Sequence, residues 1–387
     1  MNNGGDRNRL HSINSDFTSQ AKISARMDFE QKRIIAVGGG KGGVGKTVIA
    51  ASLAAGLAMS GKRVVVVDGD LGGANLHAVV GMKAPKRNYS DFFNRKVNRL
   101  QEVVAPHPTI ENLGLISGSR GALGIANLTF YQKMKFIRHL DEIEADFVIL
   151  DLGAGSDYNM LDLFLAADQG LVVVNPEPLS IQECVDFLRQ VFYRKLCRIF
   201  RNQEKTEPVI KTFAGAVTFQ ERHSVGDLID AVAEIDLDAG QKVAMWAETF
   251  KPGLLINGVG SNRDIDKGMT VLTAIREELL VEMPYWGKVR DDQWIKRSLD
   301  AGEPFIVHRP RSRAARELRT IIDEHILNQM PDRMLSTVDE QTEKASSVRD
   351  DEEVDCRTCS AACRFWSACE FQNMGEPCAL GWEVCPT

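Results

Sequence analysis

Two lysines, Lys41 and Lys46, stand five positions apart inside the stretch GGGKGGVGKT at 38–47. Gly40, Gly45, Lys46 and Thr47 satisfy the spacing of a phosphate-binding loop. Glycines there let the backbone curl and turn several N–H groups inward, and a following helix adds the positive end of its dipole. Lys46 is placed to neutralise β- and γ-phosphates, and the Thr47 hydroxyl to hold Mg2+. Two acidic motifs complete a possible site. The run RVVVV ends in Asp68-Gly69-Asp70, and FVIL ends in Asp151, followed by Leu-Gly-Ala-Gly. Carboxylates at the C-terminal ends of buried strands face the crevice where α/β folds take their ligands.

These residues need strands and helices to hold them. Short apolar runs at 34–37, 64–67, 147–150, 171–174 and 254–256 are mostly β-branched, as strands buried on both faces are. Amphipathic stretches lie between them, and VIAASLAAGLAMSG after the loop reads as a helix ended by Gly61. The βαβα order predicts a doubly wound, mostly parallel sheet with helices on both faces. The expected organisation is a polar extension over 1–30, a nucleotide-binding domain over 31–332 with an elaboration at about 193–250, an acidic linker over 333–355, and a cysteine-rich tail over 356–387. Within the elaboration, VGDLIDAVAEID reads as helix and TFAGAV as a strand.

Composition excludes some classes. No apolar run approaches the ~20 residues of a membrane span, and the first residues have no apolar core of a secretory signal. A cytoplasmic location is expected. From Met334 onward there are eleven acids and four bases, so the chain's net charge of −6 sits almost wholly there. The rest is close to neutral, without the global basic bias of a nucleic-acid binder.

GGGKGGVGKT, DGDLGGANLH and DLGAG together resemble the MinD/ParA family of deviant Walker A ATPases, over roughly 31–330. The stretches DGDLGGANLHAVVG, LISGSRGALGIANL and NPEPLSIQECVDFLR are most similar to its FlhG (FleN) branch, which regulates flagellar number and placement. The Fe–S scaffold branch has a double proline after its Walker B acid, where this chain has Gly153 and Ala154. The resemblance implies ATP and Mg2+ as ligands, a homodimer formed on ATP binding, slow dimer-dependent hydrolysis, and a protein partner. It implies that Lys41 reaches the phosphates of the other subunit, a cation supplied in trans. It assigns Asp70 to the attacking water, Asp68 to Mg2+ through water, and Asp151 to Mg2+ as the Walker B acid. Nucleotide contacts are expected from Gly40, Lys41, Gly42, Gly43, Val44, Gly45, Lys46, Thr47 and Val48. Asn75 is expected near the phosphates, Gly153 and Gly155 in a γ-phosphate-sensing switch, and Asn257 on the adenine edge. The segment PYWGKVRDD corresponds to a loop that closes over the base. The activating motif that the FlhG branch often carries for a partner GTPase has only Gln20 and Ala21 of its residues here.

Two features point elsewhere. Arg309, Arg311, Arg313, Arg316 and Arg319 precede an amphipathic repeat of Leu318, Ile322 and Ile326. The arginines suit DNA, as in ParA-like relatives, or a solvated helix start. The apolar repeat suits membrane contact, as in MinD-like relatives, or packing on the sheet, which we expect. In the tail, Cys356, Cys359, Cys363 and Cys369 could hold Zn2+ or a [4Fe–4S] cluster, or stay reduced without a metal. A cluster-carrying or redox-responsive ATPase and a DNA-partition ATPase are therefore the alternative readings.

Overall fold

A computed structural model of the chain describes residues 32–70, 75–118, 130–215 and 223–328, with side chains from 132 in the third segment. Eight strands form one sheet: β1 (Arg33–Gly38), β2 (Val64–Asp68), β3 (Ala105–Pro106), β4 (Leu113–Ile116), β5 (Phe147–Asp151), β6 (Gln169–Val174), β7 (Gly253–Val259) and β8 (Tyr285–Arg290). Their order is β3-β4-β2-β5-β1-β6-β7-β8. Every pairing is parallel except β3 with β4. β1 lies between β5 and β6, and strand order reverses beside it, the place where a crevice opens at the strands' C-terminal ends.

The apolar strands alternate between two cores. Ile35 and Val37 of β1 face one core, Ile34 and Ala36 the other. The first core is closed by α1 (Lys46–Met59), α2 (Leu76–Val80), α12 (Phe305–His308) and α13 (Arg313–Ile322). The second is closed chiefly by α4 (Phe130–Leu140), α5 (Tyr158–Ala166), α6 (Pro178–Ile199), α8 (Val225–Ala233), α9 (Leu237–Thr249) and α10 (Asn262–Leu279). The short helices α3 (Tyr89–Phe93), α7 (Glu207–Gly215) and α11 (Gln293–Ala301) complete the set.

Local sequence explains the helices that matter. α1 has no polar face, since Ala, Leu and Ile surround it and eleven of its residues are buried. Gly61, at φ +84°, follows it in the left-handed region that stops a helix. α6 starts on Pro178, whose missing N–H costs nothing in a first turn. The elaboration over 193–250 adds Phe200, Ile210, Leu228, Val243 and Trp246 to the second core, so it shares that core rather than building its own.

Two expectations need correction. The TFAG part of TFAGAV is the end of helix α7, not a strand. PYWGKVRDD is not a loop, because 285–290 form the sheet-edge strand β8. Only Trp286 and Val289 of that strand are buried, and its half-buried positions include Lys288 and Arg290, the charges that disguised it. Leu318, Ile322 and Ile326 are buried against the sheet, as expected.

Candidate nucleotide site

The glycine loop leaves β1 at Gly38 and enters α1 at Lys46. Gly43 (φ +80°) and Gly45 (φ +96°) are in the left-handed region, which a side chain would strain. Gly40 touches the helix behind it, where any side chain would collide with the Glu183 carbonyl. A side chain at Gly45 would strike the Asn257 amide. The loop is therefore a shaped backbone cradle. Lys46 is buried and its Nζ donates to the Lys41 carbonyl at 2.8 Å, pinning the loop's two ends together. Burial lowers the Lys46 pKa, while Asp151, Asp70 and Glu183 oppose that shift.

The acids stand where strand register puts them. Asp68 pairs with Asp151 across β2 and β5, and Val37 of β1 pairs with Asp151 on the other side. Both carboxyls are buried. Burial pushes Asp68 up to about 7, partly offset by a hydrogen bond from the Leu76 backbone N–H. Burial pushes Asp151 up to about 8, against a hydrogen bond from the Thr47 side chain, with Asp68 adding repulsion. Asp151 Oδ1 is buried with no hydrogen-bond partner among the described residues. Two buried carboxylates, one with an orphaned oxygen, and a neighbouring hydroxyl are hard oxygen donors, the chemistry that fits Mg2+.

Other predicted residues converge on the same cradle. Gly155 (φ +98°) donates its N–H to the Gly40 carbonyl at 2.9 Å, which ties the segment after β5 to the loop. Gly153 lies against Asp70, with room for a Cβ only 3.3 Å from its carboxyl carbon. Asn257, inside β7 rather than at its end, donates from Nδ2 to the Val44 carbonyl at 2.8 Å and so braces the loop. Asn75 is exposed at the N-terminus of α2, next to the Leu76 N–H that reaches Asp68. Val48 is half-buried in the first turn of α1. Gly42 lies close to Ala154.

Lys41 behaves differently from Lys46. Its Nζ meets Glu177 Oε2 of the same chain at 2.6 Å, and both side chains are partly exposed. The stretch NPEPLSIQECVDFLR contains this acid, yet nothing local in it signals the pairing, since the partners lie 136 residues apart. Glu177 and Glu183 are thus the residues that sequence reasoning missed. Asp162 is a third, with a visible signal: it is a lone acid in the apolar run YNMLDLFLA. It is fully buried and takes Arg194 through two hydrogen bonds at 2.8 and 2.9 Å, Arg198 at 2.8 Å, and Lys133. These partners come from α4 and α6. They lie away from the loop and form a structural anchor.

The cysteines 356, 359, 363 and 369, the linker, residues 1–31 and 119–128 of LISGSRGALGIANL lie outside the described residues. Among the described residues, no cluster of His, Cys, Asp and Glu has the geometry of a metal centre made by three or more of them. No described helix is long and apolar enough to cross a membrane.

Residues 32–198 match the AAA domain family. Of solved structures, the septum site-determining protein MinD from Pyrococcus horikoshii, complexed with Mg-ADP, superposes with a TM-score of 0.52 at 20% identity over 76% of this chain and 95% of that one. A ParA family ATPase from Chlorobium tepidum gives 0.51 at 18% identity, over 74% and 96%. The chain has the fold of a P-loop NTPase. Part of the chain is similar in sequence to MinD and FleN proteins. It is 35% identical over 153 residues to MinD of Buchnera aphidicola, covering 39% of this chain and 56% of that protein. It is 32% identical over 159 residues to the antiactivator FleN of Pseudomonas aeruginosa, covering 41% and 55%. The chain thus spans about half the length of the curated relatives it matches.

Proposed function

We propose that this P-loop NTPase is an ATP-hydrolysing switch of the MinD/ParA type that closes as a homodimer around ATP. Control of the placement or number of a cellular structure, such as the flagellum, is the role we assign to it, and the similarity to FleN supports that choice. The observation that carries the proposal is Lys41. It stands within the glycine loop, and among the described residues its ion pair is with the exposed Glu177. A partner's phosphates could take it from that acid at little cost, because an exposed ion pair contributes less than about 1 kcal/mol.

The remaining roles follow from position. The loop's N–H groups and the α1 dipole bind the β-phosphate, and buried Lys46 faces the β/γ bridge. Thr47, Asp68 and Asp151 are the residues that would hold Mg2+, and the chemistry it would supply there is neutralisation of phosphate charge. Asp70 beside Gly153 orients the attacking water. Release of the Gly155 N–H from Gly40 presents that donor to the γ-phosphate.

Lys41→Ala tests the proposal. Fluorescent-nucleotide titration should give affinity within about twofold of the parent, while turnover falls on the order of 10²-fold, the usual effect of removing one transition-state donor. Parental turnover together with parental ATP-dependent dimerisation in sedimentation would remove the trans role.

A further inference from the structure

Of the arginines of 309–319, Arg309, Arg311, Arg313 and Arg316 are exposed and Arg319 is half-exposed, at the start and along the outer side of α13. On α13 the residues Ala314, Ala315, Leu318, Ile321 and Ile322 are buried. Arg313, Arg316 and Arg319 occupy the opposite side, as helical spacing requires. Arg309 stacks over the Trp294 ring at 4.1 Å, and Arg297 of α11 stacks over the same ring at 4.7 Å. The platform therefore extends across α11.

Three of the acids beside these arginines are already engaged. Glu317 holds Arg290 at 3.0 Å, and Glu303 holds His308 at 3.0 Å. Asp292 caps α11 and accepts the Ala314 N–H. Among the described residues, no carboxylate lies within ion-pair distance of Arg309, Arg311, Arg313, Arg316 or Arg319, a concentration of positive charge in a body that is nearly neutral.

The chain carries its own counterpart. Asp350, Asp351, Glu352, Glu353 and Asp355 put five acids into six positions. The described chain ends at Asn328, after a π-helical turn (Asp323–Leu327) that continues α13. The acidic run begins twenty-two positions later, a length that spans up to roughly 70 Å when extended. The helix path back from 328 to 313 is about 22 Å. The tether therefore reaches the arginines with chain to spare, and tethering over such a length gives an effective concentration on the order of millimolar.

We propose that the acidic run 350–355 docks on the arginine face of residues 309–319 in the same molecule and occupies it against other polyanions. Guanidinium–carboxylate pairing supplies the attraction, and salt screens it.

The test uses the full chain. One variant neutralises the run (D350N/D351N/E352Q/E353Q/D355N), and a second removes the face (R311Q/R313Q/R316Q). A matched control neutralises five exposed acids elsewhere (D230N, E234Q, D238N, E248Q, D266N). Small-angle scattering should show the parent and the control expanding as salt rises from about 0.05 to 1 M, where the screening length shrinks from over 10 Å to about 3 Å. Both test variants should be expanded already at low salt. On heparin the run-neutralised variant should elute at higher salt than the matched control, because its face is uncovered. Elution equal to the control, or parental compaction in either test variant, overturns the proposal. Compaction that appears only as protein concentration rises also overturns it, since a second copy would then cover the face.

Discussion

Asp151 and Asp162 lie eleven positions apart, one at the end of β5 and the other within α5, and both are buried. Burial raises the pKa of each, yet the outcomes are opposite. Asp151 goes up to about 8, because desolvation and the charge of Asp68 outweigh one hydrogen bond from Thr47 and the charge of Lys46. Asp162 is brought down to about 2, because Arg198, Arg194 and Lys133 overcome the same penalty. One carboxylate is left short of cations and the other has three. The difference separates a group prepared for a ligand from a group that has found its partners inside the fold.

The largest expected effect breaks the satisfied cluster. Asp162→Asn leaves three cations in a buried site without their carboxylate, and should destabilise the protein by about 3–5 kcal/mol in denaturant unfolding. Asp151→Asn should act in the other direction. Without nucleotide it should melt no lower than the parent, since it removes a charge that the fold disfavours. It should also lose the stabilisation by Mg-ATP, which for the parent at a hundredfold excess over Kd is about 2.7 kcal/mol. If the two substitutions destabilise equally, the contrast between the two sites disappears.

The pH dependence sharpens the same contrast. Asp68 and Asp151 have folded pKa values above the usual carboxylate range, so the folded state binds more protons between about pH 4 and 8. Their share of nucleotide-free stability is present below that window and is lost as pH rises through it. Asp162 has a lowered value, so its share is present above about pH 4 and is lost as pH falls toward 2. A cation that ionises the first pair should therefore release protons. Calorimetry of Mg-ATP binding at pH 7, in two buffers of different ionisation heat, should detect up to about one proton per site. The smallest effect belongs to Glu177→Gln, which releases Lys41 from a partly exposed pair. ATP-dependent dimerisation should strengthen by less than about fivefold in sedimentation, equivalent to under about 1 kcal/mol.

Much of this was readable in the sequence because the readable parts are local. Buried strands are short apolar runs, and the acids that end β2 and β5 sit at the boundary where such a run stops. The glycine loop announces itself by spacing. The misreadings have equally local causes. TFAG carries no period long enough to separate helix from strand, and β8 is an edge strand whose half-buried Lys288 and Arg290 break the apolar pattern. What no local pattern could reveal were contacts between distant segments: Lys41 with Glu177, Gly155 with Gly40, and Asn257 with Val44. Those contacts shape the cradle, and they exist only after the sheet has brought β1, β5, β6 and β7 side by side.

The helix α6 joins the two carboxylate sites. Near its start, the Glu183 carbonyl leaves no room for a side chain on Gly40; near its end, Arg194 and Arg198 grip Asp162. The points of contact, 183 and 198, are about 22 Å apart along a stiff rod. Such a rod works as a lever with Gly40 at one end and a triple ionic clamp as its fulcrum. Movement of the loop as small as 1 Å would tilt it by about 3°. The helices of 207–249 rest on it between those points, where Arg189 donates to the Phe213 and Ala214 carbonyls and the Trp246 indole donates to the Phe192 carbonyl, so they would turn with it and act as a pointer for the state of the phosphate cradle.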